Sequence, residues 1–321
     1  MNSGCYLLSF EVLFRKSFDF ILLGLFPQNQ TGILLLLLIL LIFILASVGN
    51  SGMTALIFLD PRLHTPMYFL LSQLSLMDLM YISSTVPKMV YNFLSGQKSI
   101  SFLGCGVQMF FFLTMAGSEG LILASMAYDR FVAICHPLHY PIHMSKSMCL
   151  KMILVPWTLG SINSIAHTFY ILHLPYCRSR AINHFFCDVP AMVPLACGDT
   201  WVYEYMVFVS TGLFLIVPFL CITVSYGRVI FTVFHMRSKE GRRKAFTTCS
   251  THLTVVTFYC APFAYTYFRP KNLRSPAEDK NLAVFYTILT PMLNPIIYSL
   301  RNKEVIGAMR RVWGMFPPRK K

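Results

Sequence analysis

The chain has 321 residues, of which 55% are hydrophobic and only 12% charged, with a net charge of +14 and a mean hydropathy of +0.59. Soluble domains carry about 25% charged residues, so this composition argues against a soluble enzyme, a disordered chain and a nucleic-acid binder. The positive balance has to be read by where the basic residues stand relative to membrane spans.

In chain order, the apolar stretch Phe18 to Phe26 is too short for the roughly 20 residues that cross a bilayer. It has no small-residue cleavage site and is not read as a signal peptide. Seven longer runs follow, at about 33–59, 66–94, 102–135, 148–170, 202–234, 244–268 and 282–300. The expected fold is an all-α membrane protein, a seven-transmembrane helix bundle forming one domain over 1–321. Its N-terminal segment is 1–32 and its tail 301–321. With seven spans the two ends lie on opposite faces. Putting the tail inside gathers Lys and Arg on the inner loops by nearly two to one, so the N-terminus is expected outside. No repeat or inverted half is visible. The tail segment Lys303 to Phe316 reads as an amphipathic helix along the inner leaflet, with Val305, Ile306, Met309, Val312 and Trp313 opposite Arg310 and Arg311.

Cys105 opens the third span, and Cys177, Cys187 and Cys197 share the second outer loop. On the oxidising face they suggest two disulfides, in any of three pairings. Cys5 is left over, and Cys135, Cys149, Cys221, Cys249 and Cys260 read as reduced packing residues. His184 and Cys187 have metal-ligand spacing, but a disulfide sulfur is no thiolate ligand. His136, His139 and His143 read as solvated loop residues.

Ionisable groups within spans are costly and so mark function. Asp78 and Glu119 fall mid-span, with Asn50 and Asn294 at similar depth. Two readings stand side by side: a sodium site built from oxygen ligands, or an interhelical hydrogen-bond network. Asp129-Arg130 ends the third span, as a two-state latch or as a snorkelling surface pair. Pro218, Pro262, Pro291 and Pro295 interrupt the later helices.

The segments Gly49-Asn50, LHTPMYFLLSQLSLMDL (Leu63 to Leu79), MAYDRFVAICHPLHYP (Met126 to Pro141), Ser225-Tyr226, KAFTTCSTHLTVV (Lys244 to Val256) and PMLNPIIYSLRN (Pro291 to Asn302) make the chain resemble the rhodopsin-like (class A) G protein-coupled receptors. Within these it is most similar to the olfactory (odorant) receptors of family 2. The resemblance implies a plasma-membrane receptor with an extracellular N-terminus. It implies an odorant ligand and a stimulatory, olfactory-type G protein that raises cyclic AMP, with membrane lipid as the other partner. Asp129, Arg130 and Tyr226, with Asn294, Pro295 and Tyr298 of the seventh helix, match the activation and G-protein-coupling positions. Cys105 is implied to pair with Cys187 and Cys177 with Cys197, and Asp78 with Glu119 matches an acidic pair proposed to hold sodium.

Family ligand positions map to Met109, Phe112, Leu113, Ala116, Gly117, Ser210, Phe214, Tyr259, Phe263, Thr266 and Thr287. This set is mostly apolar, with few hydroxyls and no charge, and suits a small, volatile, mainly apolar ligand rather than an ion. Half of the set is expected to be ordinary packing. The chain departs from the family at residues 1–17. Its one glycosylation sequon, Asn29-Gln30-Thr31, almost touches the first span. The alternative to a receptor is a transporter or channel, which requires a polar stripe or broken helices at mid-depth. An intramembrane hydrolase requires a metal or triad set that the spacing does not supply.

Overall fold

The computed structural model describes residues 19–177, 179–197, 201–236, 238–268 and 275–315. The atypical leader through Arg15-Lys16, with Cys5, and the terminal run Arg319 to Lys321 lie outside the described residues, as does the side chain of Trp313.

Helix α1 is Gln30–Leu59, α2 Pro66–Ser95, α3 Phe102–Cys135 and α4 Lys146–Leu172. Side-chain oxygens of Asn29, Ser101 and Ser145 cap α1, α3 and α4, accepting from the backbone N–H of Gly32, Gly104 and Met148 at 2.8, 3.0 and 3.3 Å. Each satisfies a first-turn donor that has no partner inside its helix. Gly96, at φ 70°, ends α2 in a left-handed turn that glycine adopts without strain.

Helix α5 runs Trp201–Thr211, widens into a π segment Gly212–Ile216 and continues Val217–Phe234. Helix α6 is Lys239–Phe268, and α7 runs Pro276–Val284, through a second π segment Phe285–Leu289, to Thr290–Arg301. Helix α8 is Lys303–Met315. Among the described residues, six of these helices are long and apolar enough to cross a membrane; α6 matches them in length but is more polar. Helices α6 and α7 begin five or six residues before the apolar runs do. For α7 the signal was present in the sequence, as Ser275, Pro276 and the first-turn acids Glu278 and Asp279.

The burial is inverted relative to a soluble protein. Leu34, Val48 and Phe208 are 68%, 68% and 77% exposed, while Asn50, Asp78, Glu119, Asp129, His252 and Asn294 are buried. Large apolar side chains pointing outward fit lipid as the solvent, with the polar groups turned to the bundle interior.

The prolines explain two features of packing. A proline cannot donate to the carbonyl four residues earlier, and its ring crowds that turn. Pro218 and Pro291 each follow a π segment, where the helix widens to accommodate the ring. Pro295 leaves the Pro291 carbonyl without its helical donor, and Asn50 Nδ2 supplies a replacement at 2.8 Å. A Cβ on the neighbouring Gly49 would stand 3.0 Å from the Pro295 ring. The Gly49-Asn50 pair and the seventh-helix proline therefore fit as one unit: one residue makes room and the next restores the hydrogen bond.

A small three-stranded sheet, absent from the all-α expectation, covers the end of the bundle where α1 begins. Its strands are β1 (Phe20–Leu22), β2 (Ser99–Ile100) and β3 (Ala181–Ile182). The N-terminal strand is central, antiparallel to β2 and parallel to β3, with Phe20 opposite Ile100 and Leu22 opposite Ile182. Strands of two or three residues are too short for alternation to announce them.

Helix α8 is the expected short amphipathic helix: Val305 and Ala308 are buried, and Met309 is exposed, as an apolar side chain turned to lipid would be. Arg311, placed on the polar face by spacing, instead reaches Asp60, which accepts from its Nε at 2.9 Å and from a terminal nitrogen at 2.6 Å. The Arg62 backbone N–H and this guanidinium hold the Asp60 carboxyl below its usual range.

Candidate functional site

A cavity of about 70 Å³ lies between α3, α4, α5 and α6, towards the disulfide-bonded end of the bundle, with Val189 contributed by the loop between α4 and α5. Of the ligand positions mapped from sequence, Leu113, Ala116, Gly117, Ser210, Phe214, Tyr259 and Phe263 line it. Gly120 lies one turn below Ala116. A Cβ there would stand 2.6 Å from the Phe214 carbonyl, the group that Pro218 leaves without a helical donor. Tyr259 crosses the cavity floor to donate to the Ala116 carbonyl at 2.7 Å, and its ring lies 5.0 Å from that of Phe263.

Four mapped positions do not line the cavity. Met109 is fully buried, and Phe112 packs in an aromatic cluster with Tyr81, Phe186 and Tyr286 at 5.8, 5.0 and 5.9 Å. The hydroxyls of Thr266 and Thr287 donate to the Pro262 and Ala283 carbonyls one turn back in their own helices, at 2.9 and 2.6 Å. A hydroxyl so engaged has no donor left for a ligand. The sequence reading in turn missed Asn163, His167, Val189, Tyr203, Val207, Thr211 and Leu215. Asn163 and His167 stand four apart on α4, a helix from which no ligand position was drawn. The only available signal was two polar side chains on one face of an apolar helix.

Above the cavity, Cys105 is bridged to Cys187 and Cys177 to Cys197, with Cα atoms 5.5 and 5.8 Å apart. Gln108 holds the loop in register: its Oε1 accepts from the Cys187 N–H at 2.9 Å while its Nε2 donates to the Ser84 carbonyl at 2.8 Å. His184 is buried between Phe185 and Phe186. Burial first, then the charge of Lys280, pushes its imidazole down to about 3, so it is neutral. With Cys187 in a disulfide, the His184–Cys187 spacing presents no thiolate to a metal.

At mid-depth, Asn294 Nδ2 donates to both Asp78 oxygens, at 3.0 and 3.2 Å. Among the described residues, Asn294 Oδ1 and Asn50 Oδ1 are buried without a hydrogen-bond partner, and Glu119 Oε1 and the Tyr81 hydroxyl are buried close to one another. Carboxylate, amide and phenol oxygens form the hard donor set that a sodium ion takes. The cluster thus combines features of both sequence readings: a network on its Asp78–Asn294 side and unpartnered oxygens on the other. Tyr298 is buried beside it.

At the inner end of α3, Asp129 is fully buried, and its Oδ2 accepts from Arg130 Nε at 2.9 Å. Its Oδ1 accepts from the Tyr140 hydroxyl at 2.7 Å, a third partner not visible in the MAYDRFVAIC run. Tyr226 of α5 is joined to His252 of α6 through a 2.6 Å bond between the phenol and Nδ1. His136, His139 and His143 are exposed.

The family model described as "Olfactory receptor" matches residues 39–315. The chain is 80% identical to the human protein Olfactory receptor 2L13 over 302 residues, 94% of this chain and 97% of that one. It is 69% identical to human Olfactory receptor 2L3 over 93% of this chain and 96% of the relative. It is 53% identical to mouse Olfactory receptor 2V1 over 91% of this chain and 93% of the relative. Nothing in these comparisons supports a transporter or channel.

Proposed function

The chain belongs to the olfactory receptor family of G protein-coupled receptors, which are multi-pass membrane receptors and not enzymes, and on that premise we propose that it binds small, mainly apolar odorants in the cavity between α3, α4, α5 and α6 and activates a stimulatory, olfactory-type G protein to raise cyclic AMP. The observation that carries this reading is the lining of the cavity. Among the described residues it is aromatic and aliphatic, with a few polar groups and no Asp, Glu, Lys or Arg. A charged ligand entering it would be left without a counter-ion in a low-dielectric site.

Ligand binding shifts an existing equilibrium only as far as the ligand prefers one state. Two elements bordering the site have the means to differ between states. Phe214 and Tyr259 sit on helices broken by Pro218 and Pro262, and both press on α3 at Ala116 and Gly120. Movement there is carried along α3 to Asp129 and Arg130. Release of Arg130 from Asp129 frees a guanidinium for the G protein, with Tyr226, Asn294, Pro295 and Tyr298 as the neighbouring groups that rearrange. Asp78 and Glu119, with the unpartnered amide oxygens, would hold a sodium ion, which would supply a positive charge to two buried carboxylates. The disulfide-bonded end faces the exterior, because disulfides persist on the oxidising side and the basic loops lie at the opposite end. Asn29 is a poor glycan acceptor, because it caps α1 and so stands at the very start of the first span.

The test is a cyclic-AMP assay on the full-length receptor with a chemically diverse volatile library. Arg130→Ala, compared at matched surface density, is expected to abolish the ligand-driven signal. Retained signalling in that variant would remove Arg130 from the assigned role, and ion current without any G protein would overturn the receptor mechanism.

A further inference from the structure

One wall of the cavity is unlike the rest. Asn163 and His167 stand one turn apart on α4, and Ser210 faces them from α5. The Ser210 hydroxyl donates to Asn163 Oδ1 at 2.7 Å. That hydroxyl has a single hydrogen, so the 2.8 Å contact between Ser210 Oγ and His167 Nε2 requires the imidazole to donate. In the neutral ring, Nδ1 then carries a lone pair and no proton. His167 is only 5% exposed, and its Nδ1 and the Asn163 amide hydrogens have no partner among the described residues. The internal relay therefore leaves this wall with one acceptor and one amide donor, bordering a cavity whose remaining described lining is mainly apolar, with Tyr203, Thr211 and Tyr259 as its other polar side chains.

We propose that Asn163, His167 and Ser210 form the corner that selects the ligand's functional group, and that the ligand is a compact aliphatic alcohol whose hydroxyl donates to His167 Nδ1 and accepts from the Asn163 amide. The inference rests on the odorant-binding reading of the cavity. An alcohol satisfies both unpartnered groups at once. An aldehyde or ketone satisfies only the amide, and a hydrocarbon neither. A site built to hydrogen-bond a hydroxyl discriminates strongly against analogues that lack it, because its own buried polar groups are then left unpaired. Ser210 is a positioning residue: it fixes the imidazole tautomer and does not need to touch the ligand.

The experiment uses the full-length receptor at matched surface density, read by cyclic AMP. The probes are the alcohols from hexanol to decanol and cyclohexanol, each with the aldehyde or ketone and the hydrocarbon of the same skeleton. The most active alcohol is expected to be at least about tenfold more potent than its carbonyl partner, and the hydrocarbon inactive. His167→Phe keeps a ring and removes the acceptor. It is expected to weaken the alcohol about tenfold and leave the carbonyl compound unchanged. Asn163→Leu is expected to weaken both. Purified wild-type receptor gives a reading independent of the variants: the alcohol raises its melting temperature and the matching hydrocarbon does not.

Carbonyl compounds or hydrocarbons equal to the alcohols would overturn the proposal. So would a His167→Phe change that shifts both probe classes alike, the mark of a merely structural role. Silence of every alcohol in a receptor that answers other volatiles also overturns it while leaving the receptor reading intact. Silence to the whole volatile library fails both.

Discussion

The outer cavity and the inner end of the bundle use polar groups in opposite ways. Around the cavity, Asn163, His167 and Ser210 spend part of their hydrogen-bonding capacity on one another and leave the rest facing an apolar space. At the inner end, both Asp129 oxygens are engaged, by Arg130 and Tyr140, and Asp60 accepts from both Arg311 and the Arg62 backbone. Unspent capacity suits a surface that must receive something from outside. Saturated, charge-assisted bonds suit a resting state that a signal has to break. The two regions share α3, whose Leu113, Ala116 and Gly117 border one and whose Asp129 and Arg130 form the other.

The largest expected effect comes from crowding the helix that holds the polar corner. Gly160 of α4 lies against α3, where a Cβ would meet the Ser118 hydroxyl and stand 2.8 Å from the Thr114 carbonyl. Gly160→Val is expected to destabilise the receptor by about 1–3 kcal/mol, read as a lowered melting temperature, and to reduce odorant response per surface receptor. Basal cyclic-AMP output should stay near wild type if the inner bonds are independent of cavity packing. A rise in basal output would mean that the two regions are coupled even without ligand.

A smaller effect separates the outer cap from both. His184 is buried neutral in the folded chain and protonates freely once unfolded, so the unfolded state binds the extra proton. Its contribution to stability is full above the ordinary histidine pKa of about 6.5. It is lost progressively as pH falls from there towards about 3. Acidifying from about pH 7 to about pH 5 should therefore lower the melting temperature, and His184→Gln should flatten that slope. An unchanged slope in the variant would show that other groups set the acid response.

The smallest effect is expected at the inner surface. The Arg311 side chain is 34% exposed, so the ion pair with Asp60 is screened by solvent. A double-mutant cycle with Asp60→Asn and Arg311→Gln should return only the weak coupling of a solvent-screened ion pair. A much larger value would place this pair with Asp129–Arg130 among the bonds that hold the resting state.

Where sequence and structure differ, the differences follow a pattern. Seven mapped ligand positions meet around the cavity because they repeat at helical spacing on faces that turn inward. Thr266 and Thr287 carry the same hydroxyl as a ligand-binding residue would, and only the structure shows those hydroxyls bound to their own backbones. Arg311 reads as a solvated face until Asp60, far away in the chain, is brought beneath it. Tyr140 lies eleven residues from Asp129, and nothing in the spacing of the motif that holds both joins the two side chains.

By itself the sequence determined the number of spans, their order and the family motifs. These depend on local quantities: apolar length, positive charge near helix ends and short runs of residues. The tertiary structure alone decided which polar groups remain unspent, because a hydrogen bond has two ends and the second is set by packing between helices. It alone brought Asn163 and His167 to the cavity, paired Asn50 with the carbonyl that Pro295 cannot bond, and made the N-terminal strand the centre of the outer sheet.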